Sequence, residues 1–219
     1  MSGMWLVRHG SLPPNPERRM VGARDIPLSD AGRAQIRAMA RQFVPELVQG
    51  LVQGLHQGAR LGMVQGAGQG VVQGVGAVIC SDLDRCRETA ALLLENMPEA
   101  SQQGRPPLHL EPGLREICLG RWQGMTKAEI ESTWPGAYAA RGQDMAHYCP
   151  PEGESFMQAQ RRALAALARW RRAYPCATLL VVSHAGIIGT LLAHYLALPL
   201  RHVLQIPQHY GCRSFVPEW

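Results

Sequence analysis

The sequence predicts an α/β domain of three layers, a mainly parallel sheet with helices on both faces. Three observations carry that expectation. Apolar runs of strand length alternate with amphipathic stretches of helical spacing, and strands separated by helices favour parallel pairing. One of these runs, TLLVVSH, has the continuous apolar character of a buried strand. And 219 residues with 46% hydrophobic and 18% charged content suffice for one domain, spanning 1–219, with a full core.

The elements follow in order. Met4 to Val7 reads as the first strand, which stops abruptly at Arg8, His9 and Gly10. Ser29 to Phe43 reads as a helix, since Ser29 and Asp30 can cap its start. Over 48–76 the pattern breaks: glycine recurs at 50, 54, 58, 62, 66, 70 and 74, with Gln before it in six of the seven units. Each glycine costs a helix about 1 kcal/mol against alanine, so this repeat is expected to be a mobile or weakly helical loop insert. VGAVICS, 75–81, reads as the second strand and DRCRETAALLLENM as the helix behind it. A shorter strand is expected near Leu108 to Glu111. Phe156 to Ala173 carries an apolar helical stripe, with Glu154 and Ser155 placed to cap it. The segment TLLVVSHAGIIGTLLAHYLALPL is long enough for a membrane span, but Ser183, His184 and His194 would be costly in lipid. It reads as a buried strand, a polar loop and a buried helix.

The net charge is +5, and the basic residues are spread without a run, so no nucleic-acid partner is expected. Six cysteines, at 80, 86, 118, 149, 176 and 212, form no close pair of the kind that structural zinc or a redox dithiol uses. Free thiols and an N-terminus without secretory character point to a cytoplasmic protein with no membrane partner. A homodimer is left open.

The polar chemistry gathers at three strand ends: Arg8 and His9, then Ser81 to Arg85, then His184. In a parallel α/β sheet the carboxyl ends of the strands share one edge, where ligands bind, so Arg8, His9, Arg85 and His184 converge there. Helices begin just beyond two of these loops, and their free N–H groups favour an anion. The expected ligand is phosphate-sized.

RHG, SDLDRCRETA, LREICLGRWQG, GES and SHAG occur in that order, and with them the chain resembles the histidine phosphatase superfamily, the phosphoglycerate-mutase-like group. Apart from the repeat, the resemblance spans nearly the whole chain. Asn15, Arg19 and Gly22 match its N-x-x-x-R-x-x-G, and DIPLSDAGRAQ its D-x-P-L-[ST]-x-x-G-x-x-Q. LREICLGRWQG matches L-x-E-x-x-x-G-x-W-x-G, which puts Glu116 at the family's proton donor. Ser11 and Leu12 replace the usual Glu-Thr, and Gln123 replaces a common Glu before Gly124; these departures are expected to alter the substrate side of the pocket.

The resemblance implies a phosphoglycerate-mutase-like fold and a metal-independent phosphomonoesterase without cofactor, acting on a small-molecule phosphomonoester. It makes His9 the nucleophile that becomes phosphorylated, has Arg8 and Arg85 hold the phosphoryl oxygens, and has His184 donate a further hydrogen bond. Asn15, Gly10, Ser183 and Ala185 are expected on the substrate side. These roles are physically consistent. A nucleophilic ring nitrogen must be unprotonated, and nearby guanidiniums disfavour its charged form while the other nitrogen is pinned as a donor. A planar guanidinium can bind two phosphoryl oxygens at once. Glu116 could instead pair with Arg115 or Arg121, and Trp122, Trp134 and Tyr138 could cover the pocket or pack in the core.

HAG after the last strand, where glycolytic mutases usually show HGN, favours hydrolysis. The spacing from LREICLGRW to GES and the late YGCRS look similar to the family's alpha-ribazole phosphatases, which act in cobalamin assembly. A phosphoglycerate mutase, a broad-specificity phosphatase and a non-catalytic phosphate-binding scaffold are the alternatives.

Overall fold

In the computed structural model, residues 3–53, 75–97 and 105–217 are described, with the backbone alone given for 46 and 48–53. The apolar runs form β1 (Gly3–Arg8), β2 (Val75–Cys80), β3 (Leu108–Leu110) and β4 (Thr178–Ser183), and β5 (Arg213–Pro217) lies at one edge. Their order across the sheet is β3-β2-β4-β1-β5. All neighbours are parallel except β5, which runs antiparallel to β1. Central β4 is buried at all six positions, which is why its sequence shows no alternation. Arg8 pairs with Ser183, and Cys80 with Val182, so the carboxyl ends of β1, β2 and β4 lie level at one edge.

Among the described residues six α-helices accompany the sheet: α1 (Asp30–Gln53), α2 (Asp84–Glu95), α3 (Lys127–Thr133), α4 (Ala137–Gln143), α5 (Phe156–Ala173) and α6 (Ala185–Tyr195). On one face Ile36, Ala40, Phe43 and Leu47 of α1 and Ala90 and Leu93 of α2 pack on Val7, Val78 and Val182. On the other, Ala159, Ala163 and Leu167 of α5 and Ile188 and Leu191 of α6 pack on Leu6, Ile79 and Val181. Each fully buried Leu or Ile contributes about 1.5–3 kcal/mol, so the two cores hold the layers together. This is the expected three-layer arrangement.

Differences from the sequence reading are local. α1 does not end at Phe43 but runs through Pro45 to Gln53, into the first units of the glycine repeat. Val44 and Leu47 are buried beyond the expected end, and once a helix is nucleated each further residue adds a bond at little cost. The rest of the expected mobile loop, 54–74, lies outside the described residues, and Val75 and Gly76 already belong to β2. α5 has the expected bounds, and Ser155 caps it in a reciprocal box with Gln158. Among the described residues, no helix is long and apolar enough to cross a membrane.

Candidate active site

Arg8 and His9 leave β1 in the middle of the sheet edge. His9 N–H donates to Ser183 O at 3.1 Å and Ser81 N–H to Val182 O at 3.0 Å, so the main chain ties the three strand ends together. Gly10 has no room for a side chain, because a Cβ would lie 2.8 Å from the backbone oxygen of Gly32 in α1.

His9 is 3% exposed, and its Nδ1 lies 2.8 Å from Gly10 O. Only a protonated Nδ1 can donate to a carbonyl, so Nε2 keeps the lone pair. The pKa of His9 is lowered to about 3, chiefly by burial; the Gly10 bond opposes this, and the Arg85 and then Arg8 guanidiniums add to it. Sequence alone credits the guanidiniums, whereas in the fold burial is the larger cause.

Arg85, in the first turn of α2, is 1% exposed. It donates from Nη1 to Arg24 O (2.6 Å), from Nη2 to Gly22 O (3.0 Å) and from Nε to His184 Nδ1 (3.1 Å). A guanidinium has five N–H groups, so one on each Nη is left for an anion. Gln123 Oε1 accepts from Ala23 N (2.8 Å) and Leu119 N (3.4 Å) and so braces the turn that presents those two carbonyls. Gln123 was expected on the substrate side; it lies under the Gly22–Arg24 turn.

Arg8 is wrapped by a segment about 200 positions away. Its Nη1 donates to Gln208 O, its guanidinium carbon lies 3.9 Å from the Tyr210 ring centroid, and its backbone N–H donates to Cys212 O at 3.0 Å. The Tyr210 ring is also 5.5 Å from that of His9. Arg8 Nε is buried without a hydrogen-bond partner among the described residues. Among the described residues, neither Arg8 nor Arg85 has a carboxylate at ion-pair distance. Two guanidiniums with no carboxylate in contact, beside a neutral imidazole, make a site for an anion.

His184 is fully buried, and burial, then Arg85, hold its pKa well below the ordinary histidine value. Its Nδ1 accepts from Arg85, so Nε2–H donates to Ser81 Oγ at 2.8 Å. Both ring nitrogens thus serve protein groups, and His184 orients Arg85. Glu116 is half-buried; its Oε1 accepts from Ile117 N (3.0 Å) and its Oε2 from Gly186 N (3.2 Å) in the first turn of α6. It does not pair with its arginine neighbours: Arg115 binds Asp82 at 2.6 Å, and Arg121 lies over Trp134.

The residues expected on the substrate side make contacts within the protein. Asn15 closes its own loop through Arg19 N (3.0 Å) and Arg19 O (2.8 Å). Ser183 Oγ donates to Leu114 O at 2.8 Å. Ala185 opens α6 next to Gly186, and Gly10 N–H donates to Thr89 Oγ1 at 3.2 Å. Trp122 is fully buried and packs on Tyr138 and Tyr148, a core position and not a mouth. Glu154 does not cap α5; its carboxylate accepts from Cys118 N at 2.9 Å and pairs with Arg162. Among the described residues, no three His, Cys, Asp or Glu side chains gather as a metal site.

A family model described as the histidine phosphatase superfamily (branch 1) matches residues 4–52 and 63–217. Relatives include an adenosylcobalamin/alpha-ribazole phosphatase of Salmonella typhimurium, 28% identical over 97% of this chain and 89% of that one. A glucosyl-3-phosphoglycerate phosphatase of Mycolicibacterium vanbaalenii is 30% identical over 89% of this chain and 74% of that one. Among solved structures, a mycobacterial glucosyl-3-phosphoglycerate phosphatase in complex with VO3 superposes with a TM-score of 0.70 at 26% identity, over 98% and 92% of the two chains.

Proposed function

Because the chain belongs to the histidine phosphatase superfamily, branch 1, we propose that it is a phosphatase that hydrolyses a small-molecule phosphomonoester through a phosphohistidine on His9. One observation carries the reading: a buried, neutral His9 whose Nδ1 is fixed on Gly10 O lies in the field of two guanidiniums that have no carboxylate in contact.

Nε2 attacks phosphorus in line with the ester oxygen, and the P–O bond breaks as the P–N bond forms. Spare N–H groups of Arg85, with Arg8, meet the equatorial oxygens, where charge sits throughout the transfer. Glu116, as the general acid, delivers a proton to the departing alkoxide. In the second half the Glu116 carboxylate takes a proton from water, the water oxygen bonds to phosphorus, and the P–N bond breaks to release phosphate. No step calls for a metal ion, so turnover is expected to survive a chelator.

Alpha-ribazole 5′-phosphate is the first substrate to test, supported by the Salmonella relative, which matches over nearly the whole chain. Glucosyl-3-phosphoglycerate is the second, supported by the Mycolicibacterium relative and by the likeness to a solved mycobacterial glucosyl-3-phosphoglycerate phosphatase. The test incubates the protein with both, with 3-phosphoglycerate and with simple phosphomonoesters, beside His9→Ala, and traps ³²P-labelled enzyme by rapid quench. Release of phosphate with an acid-labile, base-stable label is expected for the native protein alone. Turnover that persists in His9→Ala would sink the mechanism. Exchange between phosphoglycerates without free phosphate would replace hydrolysis by a mutase, and binding without turnover would leave a scaffold.

A further inference from the structure

Glu116 can act as an acid or base only if its main chain is held still, and the described residues include a charged pair that reaches that chain on both sides. Arg162, in the second turn of α5, grips Glu154 with Nε (2.9 Å) and Nη2 (2.6 Å). The same guanidinium donates from Nη1 to Gly113 O (2.8 Å) and from Nη2 to Glu116 O (3.2 Å). Glu154 in turn accepts from Cys118 N at 2.9 Å, and its own N–H donates to Cys118 O at 2.8 Å. The two side chains are only 27% and 18% exposed.

An exposed ion pair contributes little, but this one is shielded, and its remaining hydrogen bonds go to the backbone of Glu116 itself and of Gly113 and Cys118 on either side of it. Lysine could not replace the arginine, since one ammonium has no planar fork to reach a carboxylate and two carbonyls together. Capping does not account for Glu154, because Ser155 with Gln158 completes the helix cap without it.

We propose that Glu154 and Arg162 form a clamp that aims Glu116, which makes Arg162 a positioning residue for the proton transfers. This rests on the reading of Glu116 as general acid and base. From the clamped backbone the Glu116 carboxylate reaches the first turn of α6, beside the His184 that orients Arg85. A displacement of about 1 Å there is enough to lower the rate about 100-fold.

The test uses kcat/KM, which covers events up to release of the alcohol and is blind to later hydrolysis of the phosphohistidine. An alkyl phosphate needs a proton for its leaving group, whereas p-nitrophenolate departs without one. Glu116→Gln sets the reference, with a much larger loss on the alkyl ester than on p-nitrophenyl phosphate. Arg162→Lys and the nearly isosteric Glu154→Gln are expected to lower the alkyl-to-nitrophenyl ratio of kcat/KM by about tenfold in the same direction. Each ratio is taken on one sample, so any unfolded fraction cancels. Equal losses on both esters in the clamp variants, with a selective loss in Glu116→Gln, would reduce the clamp to a structural ion pair. No selectivity in Glu116→Gln would instead overturn the general-acid reading beneath it.

Discussion

Replacing His9 by Asn keeps a donor for Gly10 O but removes the titrating ring, and it should flatten the dependence of stability on pH. In the unfolded chain His9 takes up a proton near the ordinary histidine value of 6.5, whereas the folded ring refuses it until about 3. Folded pKa lies below unfolded pKa, so the contribution to stability is complete above pH 6.5 and is lost as pH falls toward 3. Between pH 7.5 and 5, single-site linkage gives a loss of about 2 kcal/mol for His9, a figure set by the unfolded pKa once the folded one lies well below 5. His184 is lowered in the same direction and adds a loss in the same window. The wild type should therefore lose about 2 kcal/mol more than His9→Asn over that interval, against a typical total of about 5–15. Urea unfolding followed by the fluorescence of the five tryptophans at pH 7.5, 6 and 5 measures this. Phosphate-free buffer is essential, since an anion bound only to the folded state would add its own stabilisation. Equal slopes for the two proteins would mean that folded His9 is protonated at pH 5, and the account of a neutral nucleophile would fail.

Arg85→Lys should lower kcat/KM about 100-fold or more, because an ammonium cannot hold Gly22 O, Arg24 O and His184 while also meeting the phosphoryl group; steady-state kinetics with correct folding by circular dichroism checks it. Gln123→Leu leaves Ala23 N and Leu119 N without their acceptor, and should cost about 1–3 kcal/mol of stability together with weaker inhibition by inorganic phosphate. Gln123→Glu keeps the acceptor oxygen and should restore both, which denaturation and inhibition assays would show.

Legibility in the sequence followed burial. β4 and α5 were readable because one is apolar throughout and the other has a clean stripe, and both are core elements. β5 was missed since RSFVP has no alternation, as befits an edge strand with an arginine at one end and a proline at the other. α4 buries none of its residues, so no periodicity marked it. At the site, RHG and SHAG announced Arg8, His9 and His184, whereas Tyr210 and Gln208 reach Arg8 from about 200 positions away with no local signal. Asn15 and Ser183 carry motif positions, yet their polar atoms close a loop and a strand end. A motif preserves residue type; which partner a side chain takes is set by the fold.

The two site arginines donate to carbonyl oxygens and a neutral imidazole, with an aromatic face against Arg8, and this choice has an electrostatic consequence. Gly22 O, Arg24 O and Gln208 O accept guanidinium protons, and Tyr210 stacks on Arg8, but none of these partners carries a formal charge. A carboxylate in any of these places would have neutralised the site and competed with the ligand. Dipoles lower the cost of burying each N–H while leaving the positive field in place, so the missing counter-charge must arrive with a ligand. Burial, assisted by the same field, keeps the His9 ring neutral, and a neutral ring is what attack on phosphorus requires. The two guanidiniums that capture the anion therefore also assist burial in keeping the ring neutral, and adding a carboxylate beside Arg8 would weaken anion capture while burial still held His9 unprotonated.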